Sequence, residues 1–183
     1  MIKIAIIGTA SEKNGNLTYR KWKRLIRKSE EFILQITEDP DNWKDIHLIS
    51  GGAAWCDHVA IYLYKKYPLC RLTLYFPCKW KNDKFDDDGQ SHWSNNPGRL
   101  ANNYHNKFSE KVGWETLLDI SEAIDNNATI RVYNGFHQRN VRIGKCDYLI
   151  ACTFSKSGKP VNGGIFYTWK NAVCKNKIHC RIK

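Results

Sequence analysis

Short apolar runs alternate with amphipathic stretches along this chain. Lys3–Ile7 is a β-branched run that stops at Gly8. Over Thr18–Thr37 the residues Trp22, Leu25, Ile26, Ile33 and Ile36 recur at the spacing of one helical face. Asp45–Ser50 reads as a second strand, closed by Gly51-Gly52. Ala54–Tyr67 reads as a helix, with Val59, Ala60, Leu63 and Tyr64 inward and Pro68 past its end. Arg71–Phe76 is a third strand. Two helices follow, near Gly98–Glu110 and Trp114–Asn126, then strands at Thr129–Tyr133 and Asp147–Cys152. A helix over Gly164–Lys175 and a strand over Lys177–Ile182 complete the pattern. The strands are short and nearly all apolar, as strands covered on both faces are. The alternation predicts an α/β fold: a mostly parallel sheet of about six strands with helices on both faces. One domain over residues 1–183 fits. The polar stretch from Pro77 to Pro97 breaks the rhythm and is too long for a passive connection.

Composition narrows the class. A chain of 183 residues with 42% hydrophobic and 26% charged residues can bury a core and is not disordered. No apolar run reaches bilayer length, and Met1–Gly8 is too short for a signal peptide. The chain reads as soluble and cytoplasmic, with no membrane partner. Its seven cysteines show no Cys-x-x-Cys spacing, so they read as reduced core thiols. The balance of 29 Lys+Arg against 18 Asp+Glu gives +11 and points to an anionic partner. It does not choose between nucleic acid and a phosphorylated small molecule.

In such a sheet, ligands bind beyond the carboxyl ends of the strands. Three glycine turns fall there: Gly8-Thr9-Ala10-Ser11, Ser50-Gly51-Gly52-Ala53 and Asn162-Gly163-Gly164. Glycine lets backbone amides approach a phosphate, and a following helix adds its positive end. Gly-x-Gly-x-x-Gly and Gly-x-x-x-x-Gly-Lys-Ser/Thr are both absent, which argues against a standard dinucleotide fingerprint and a P-loop. No cofactor is called for. Asp57 falls in the first turn of the expected second helix, either as a capping carboxylate or as an acceptor for a sugar or base. His58 reads as a packing histidine. Arg139 has the chemistry of a bidentate phosphate clamp, and Asn140 would fix a base edge or cap a helix running to Lys145.

The other polar features have plainer readings. Residues 20–28 hold six cations, and Lys170–Lys183 holds five with no acid. Solvated faces explain both, with weak nucleic-acid binding as the sharper alternative. Asp86-x-Asp88-x-Gln90 resembles the start of a calcium loop, but Pro97 stands where a bidentate Glu is needed, so no metal is expected. The 77–97 insertion reads as a lid or partner surface, with Trp80 and Trp93 as apolar cover or a stacking face.

Taken together, the motifs resemble a known family. Residues Ile49–Ala60 are similar to the Ser-Gly-Gly-Ala-x-Gly-x-Asp-x-x-Ala segment of the DNA-processing protein A family. Phe136–Ile143 is similar to its Phe-x-x-Arg-Asn-x-x-Ile, and Asp147–Ala151, Gly163-Gly164, Thr168 and Ala172 resemble its distal strand, turn and helix. These belong to the SLOG superfamily of Rossmann-like domains, with the Lonely Guy phosphoribohydrolases as more distant members. The resemblance implies a three-layer Rossmann-like fold, a nucleotide-like ligand at the strand ends and a homo-oligomer, dimeric or higher. It adds Arg99 and His105 to the ligand candidates, since a comparable segment borders the ligand in SLOG-like chains. The Lonely Guy motif Pro-Gly-Gly-x-Gly-Thr-x-x-Glu is not matched: Val161–Ala172 carries no Glu at that place. Cleavage of an N-glycosidic bond needs such a carboxylate. The DNA-processing family's flanking domains also have no room in 183 residues.

The expected function is a nucleotide-sensing or nucleotide-sequestering module. Its expected ligand set is Gly8, Thr9, Ala10, Ser11, Ser50, Gly51, Gly52, Ala53, Asp57, Arg99, His105, Arg139, Asn140, Gly163, Gly164 and Thr168. Two alternatives stay open: a nucleoside-monophosphate N-glycoside hydrolase using Asp57, and a DNA- or RNA-binding protein.

Overall fold

Alternating side chains divide each central strand between two hydrophobic layers. In the computed structural model, which describes residues 1–11, 16–37, 43–90, 92 and 95–183, the elements run as follows. They are β1 (Ile2–Gly8), α1 (Tyr19–Thr37), β2 (Ile46–Ser50), α2 (His58–Lys66), β3 (Arg71–Phe76), the short strands β4 (Trp80–Lys81) and β5 (Lys84–Phe85), α3 (Pro97–Val112), α4 (Thr116–Asp125), β6 (Thr129–Val132), α5 (Gly135–Ile143), β7 (Tyr148–Thr153), α6 (Gly163–Asn171) and β8 (Asn176–Arg181). Six strands form one parallel sheet in the order β6-β3-β2-β1-β7-β8. From β1, Ile4 and Ile6 enter the larger core with Trp22, Leu25, Val59 and Phe108 of α1, α2 and α3. Ala5 and Ile7 face the other way, with Ile143 of α5 and Ile165 and Trp169 of α6. In β7, Ile150 and Cys152 divide from Leu149 and Ala151 in the same manner. The molecule is a three-layer, Rossmann-like α/β/α fold. Among the described residues, no helix is long and apolar enough to cross a membrane.

Several boundaries differ from the sequence reading. The helix expected from Ala54 begins only at His58, because Trp55 adopts a left-handed backbone, φ 63°, that no α-helix contains. Strand β6 was expected to be covered on both faces, yet all four of its residues are exposed, because it is the edge of the sheet. Helix α5 starts at Gly135, so Asn140 lies within it and does not cap its start.

The 77–97 insertion is built rather than loose. Strands β4 and β5 pair as a hairpin across Asn82 and Asp83, both left-handed, as a tight two-residue turn requires. Phe85 is fully buried against Phe76 and Trp80, so Trp80 serves the core rather than an open stacking face. Trp93 lies outside the described residues.

Candidate functional site

The strand order reverses at β1, where chain connections diverge to either side and leave a crevice beyond the strand ends. A cleft of about 630 Å³ occupies that place. The tip of β1 contributes Ile7, Gly8 and Ala10, and the turn before α2 contributes Ala53, Ala54 and Asp57. Leu100, Ala101 and Tyr104 of α3 form one wall. Phe136, His137, Arg139 and Asn140 of α5 and Gly164, Ile165, Tyr167 and Thr168 of α6 form the opposite side. Helices α5 and α6 both begin at the cleft, and no side chain caps either one. At α5 the Gly135 amide is taken by the Pro77 carbonyl, and the dipoles of both helices leave partial positive charge at the cleft wall.

Asp57 ties the strand tips together. Its Oδ1 accepts the Gly8 amide at 2.9 Å, and its Oδ2 accepts the Gly51 amide at 3.1 Å. It lies just before α2 and its carboxylate does not cap that helix, which corrects the first-turn placement. Burial pushes its carboxyl above the usual range, against the pull of Arg139 and the amides of Gly8, Gly51 and Ala53. Ser50 reinforces the turn from inside: its hydroxyl donates to the Asp57 carbonyl and accepts the Gly52 amide.

Arg139 is the unusual group. It is 8% exposed, and its Nη1 lies 3.7 Å from Asp57 Oδ2, beyond hydrogen-bond reach. Among the described residues, Nε and Nη1 are buried with no hydrogen-bond partner. The guanidinium also sits over the Phe136 ring, 5.4 Å from its centroid. Burial lowers its pKa from the ordinary value while Asp57 opposes that shift, and an arginine keeps its charge at neutral pH. Leaving a buried charged donor without a hydrogen bond costs about 1–3 kcal/mol or more. An anion entering the cleft would remove that cost.

Aromatic groups stand over this charged floor. The rings of His137 and Tyr167 pack 4.3 Å apart at the rim, and Tyr104 faces the same cleft. Gly164 leaves room for Asn140, whose Nδ2 is 2.9 Å from where a Cβ at 164 would sit. Thr168 is buried, and its hydroxyl donates to the Gly164 carbonyl.

The sequence candidates separate into three groups. Gly8, Ala10, Ala53, Asp57, Arg139, Asn140, Gly164 and Thr168 line the cleft. Thr9, Ser11 and Gly163 line an adjoining hollow of about 380 Å³, together with Ala10. Ser50, Gly51, Gly52, Arg99 and His105 line neither. Arg99 pairs with Asp87 at 3.1 Å, on the helix start capped by Asn96. His105 is fully buried, between the Thr116 hydroxyl and the Gly52 carbonyl. The sequence reading missed Tyr104, His137 and Tyr167. Tyr167 carried a signal, since it lies one helical turn past Gly164, while Tyr104 reaches the cleft only through the packing of α3.

No protein-family model and no solved structure matches this chain. An uncharacterized protein of Acanthamoeba polyphaga mimivirus is 32% identical over 186 aligned residues, which span 99% of this chain and 96% of that protein. Similarity running end to end at this level reflects common descent of the whole domain, and the chain belongs to one family with that mimivirus protein.

Proposed function

We propose that this protein is a SLOG-like module that binds a phosphate-bearing nucleotide in the cleft and senses, sequesters or carries it without cleaving it. The buried guanidinium of Arg139, which faces Asp57 but makes no hydrogen bond among the described residues, carries the reading. It supplies a fork of donors that suits a phosphate, in a wall where two helix starts already favour negative charge. The apolar and aromatic remainder of the lining suits a heterocyclic base. Binding is favoured over hydrolysis because, among the described residues, Asp57 is the one carboxylate in the lining, and both its oxygens already hold backbone amides. The exposed cations of α1 carry no comparable observation. Arg27, for example, pairs with Glu31 on the surface.

The test is a thermal-shift series at fixed protein and salt with AMP, GMP, CMP, UMP and inorganic phosphate, followed by chromatography of each nucleotide. A ligand that binds only the native state raises the midpoint by mass action. At least one nucleotide is expected to stabilise the protein, to be recovered intact, and to lose its effect in Arg139→Gln. Recovery of free base would move the assignment to hydrolysis. An unshifted midpoint with every nucleotide would remove the proposal.

A further inference from the structure

The cleft and the adjoining hollow meet. Ala10 and Ile165 line both, and the consecutive glycines at the start of α6 divide between them. Gly164 faces the cleft and Gly163 faces the hollow. The start of this nine-residue helix therefore stands on the boundary. Gly163 adopts φ +69°, and a Cβ there would meet nothing within 4 Å, so the backbone is open to an incoming group. Among the described residues, the amides of Gly163, Gly164 and Ile165 have no acceptor, the first bond of the helix being Phe166 to the Asn162 carbonyl. Arg139, nine-tenths buried and without a hydrogen bond, lines the same cleft as Gly164. Free amides at the boundary and a guanidinium without a hydrogen bond in the cleft thus come from two elements.

The two spaces differ in chemistry. The cleft is walled by Ile7, Ala54, Leu100, Phe136, Ile143 and Tyr167. The hollow carries the side chains of Thr9, Ser11 and Asn162, which make no hydrogen bond among the described residues, beside the hydroxyls of Thr153 and Ser155. The former suits a base, and the latter a group rich in hydroxyls. Lys156 and Lys159, both exposed, stand in the loop between the lining residues Ser155 and Pro160 and add positive charge there. Resting on the nucleotide reading above, we infer that the ligand is a nucleoside diphosphate sugar. Its base occupies the cleft, its pyrophosphate lies across Arg139 and the start of α6, and its sugar fills the hollow.

Isothermal titration of the full chain with AMP, ADP, ADP-ribose and UDP-glucose tests this, alongside Val161→Trp. Val161 is 55% exposed at the hollow, so a larger side chain fills that space without entering the core. An unchanged melting temperature without ligand verifies that the variant folds. The better of the two diphosphate sugars is expected to bind at least tenfold more tightly than AMP. Val161→Trp is expected to abolish that advantage and leave AMP affinity unchanged. If AMP binds and neither diphosphate sugar exceeds it, the two-lobed ligand is wrong while the nucleotide site stands. Equal weakening of AMP and the sugars by Val161→Trp overturns it likewise. If none of the four binds, the diphosphate-sugar ligand is wrong, and the nucleotide reading is decided by the monophosphate series alone.

Discussion

The guanidinium of Arg139 occupies the space that a side chain at position 51 would need. A Cβ on Gly51 would fall 1.5 Å from Nη1 and 2.7 Å from Asp57 Oδ2. Glycine at 51 is thus a condition for seating the arginine, although Gly51 itself lines no part of the cleft. Gly51→Ala is expected to push the guanidinium aside and to weaken nucleotide binding about as much as Arg139→Gln. A charge-assisted hydrogen bond is worth about 1.5–3 kcal/mol, or roughly 10–150-fold in affinity. Titration of both single variants and the double variant measures this. The two effects should be strongly non-additive, since each removes the same contact.

Asp57 should matter more to folding than to chemistry. Its carboxylate joins the tip of β1 to the tip of β2 and faces the guanidinium of Arg139 in the cleft lining. Asp57→Asn places an amide donor against backbone donors and leaves Arg139 without its counter-charge. Breaking a buried pair from one side costs about 3–5 kcal/mol. Urea denaturation is expected to show a loss of that order, and a loss below about 1 kcal/mol would contradict the role of Asp57 as the latch between strands.

Acid should unfold this protein early because of its buried histidines. Burial holds His105 at about 3 against an ordinary 6.5, with His58 5.7 Å away as a second, opposing charge when protonated. Its neutral ring donates from Nε2 to the Gly52 carbonyl and accepts the Thr116 hydroxyl at Nδ1. The pKa of His58 is likewise lowered by burial, although Asp119 pulls it up. A depressed folded pKa means that the unfolded chain binds the proton more readily. The stability that His105 contributes is complete above pH 6.5 and is lost as the pH falls toward 3, and that of His58 is lost in the same direction. The slope is about 1.4 kcal/mol per pH unit for each such proton. Asp119, held below the usual carboxylate range by His58, Lys65 and Trp114, adds its own loss only below its ordinary 3.8. Urea midpoints between pH 6.5 and 4.5 should therefore decline. His105→Gln, which keeps one donor toward Gly52, should flatten that decline by one proton's share.

What local sequence could reveal was the alternation, and what it could not reveal was the partner. The split of Ile4 and Ile6 from Ala5 and Ile7 follows from a period of two, which is written in the chain. The edge position of β6 is not. Ile130 and Val132 are apolar, and only the strand order leaves them exposed. Arg99 and His105 had the right chemistry for a ligand site, yet each is used by a residue distant in sequence, Asp87 and Gly52 respectively. The late start of α2 depends on the left-handed backbone of Trp55, whose buried ring packs against Phe108 and whose carbonyl accepts Trp22 Nε1. Helical periodicity carries no trace of that tertiary arrangement. The glycine turns were legible because close approach leaves a residue-level mark. At Gly8 a Cβ would sit 2.2 Å from the Cys152 carbonyl oxygen.

The rim and the floor of the cleft should separate by experiment. Tyr167 and His137 present rings in tilted contact from two different helices, and Arg139 lies on the same helix as His137. If the base rests on the rings, removing one of them costs stacking, about 1–3 kcal/mol per base. Tyr167→Ala is then expected to weaken AMP binding roughly tenfold or more, while inorganic phosphate, which has no base, binds as before. Arg139→Gln should weaken both ligands, because both present the same oxygens. The ring of Tyr167 is only half-buried, so its removal leaves a solvent-filled notch rather than a core cavity, and folding is not at stake. Equal loss of AMP and phosphate in Tyr167→Ala would mean that the tyrosine supports the phosphate floor through α6. The base would then have to sit on the α3 side, against Tyr104.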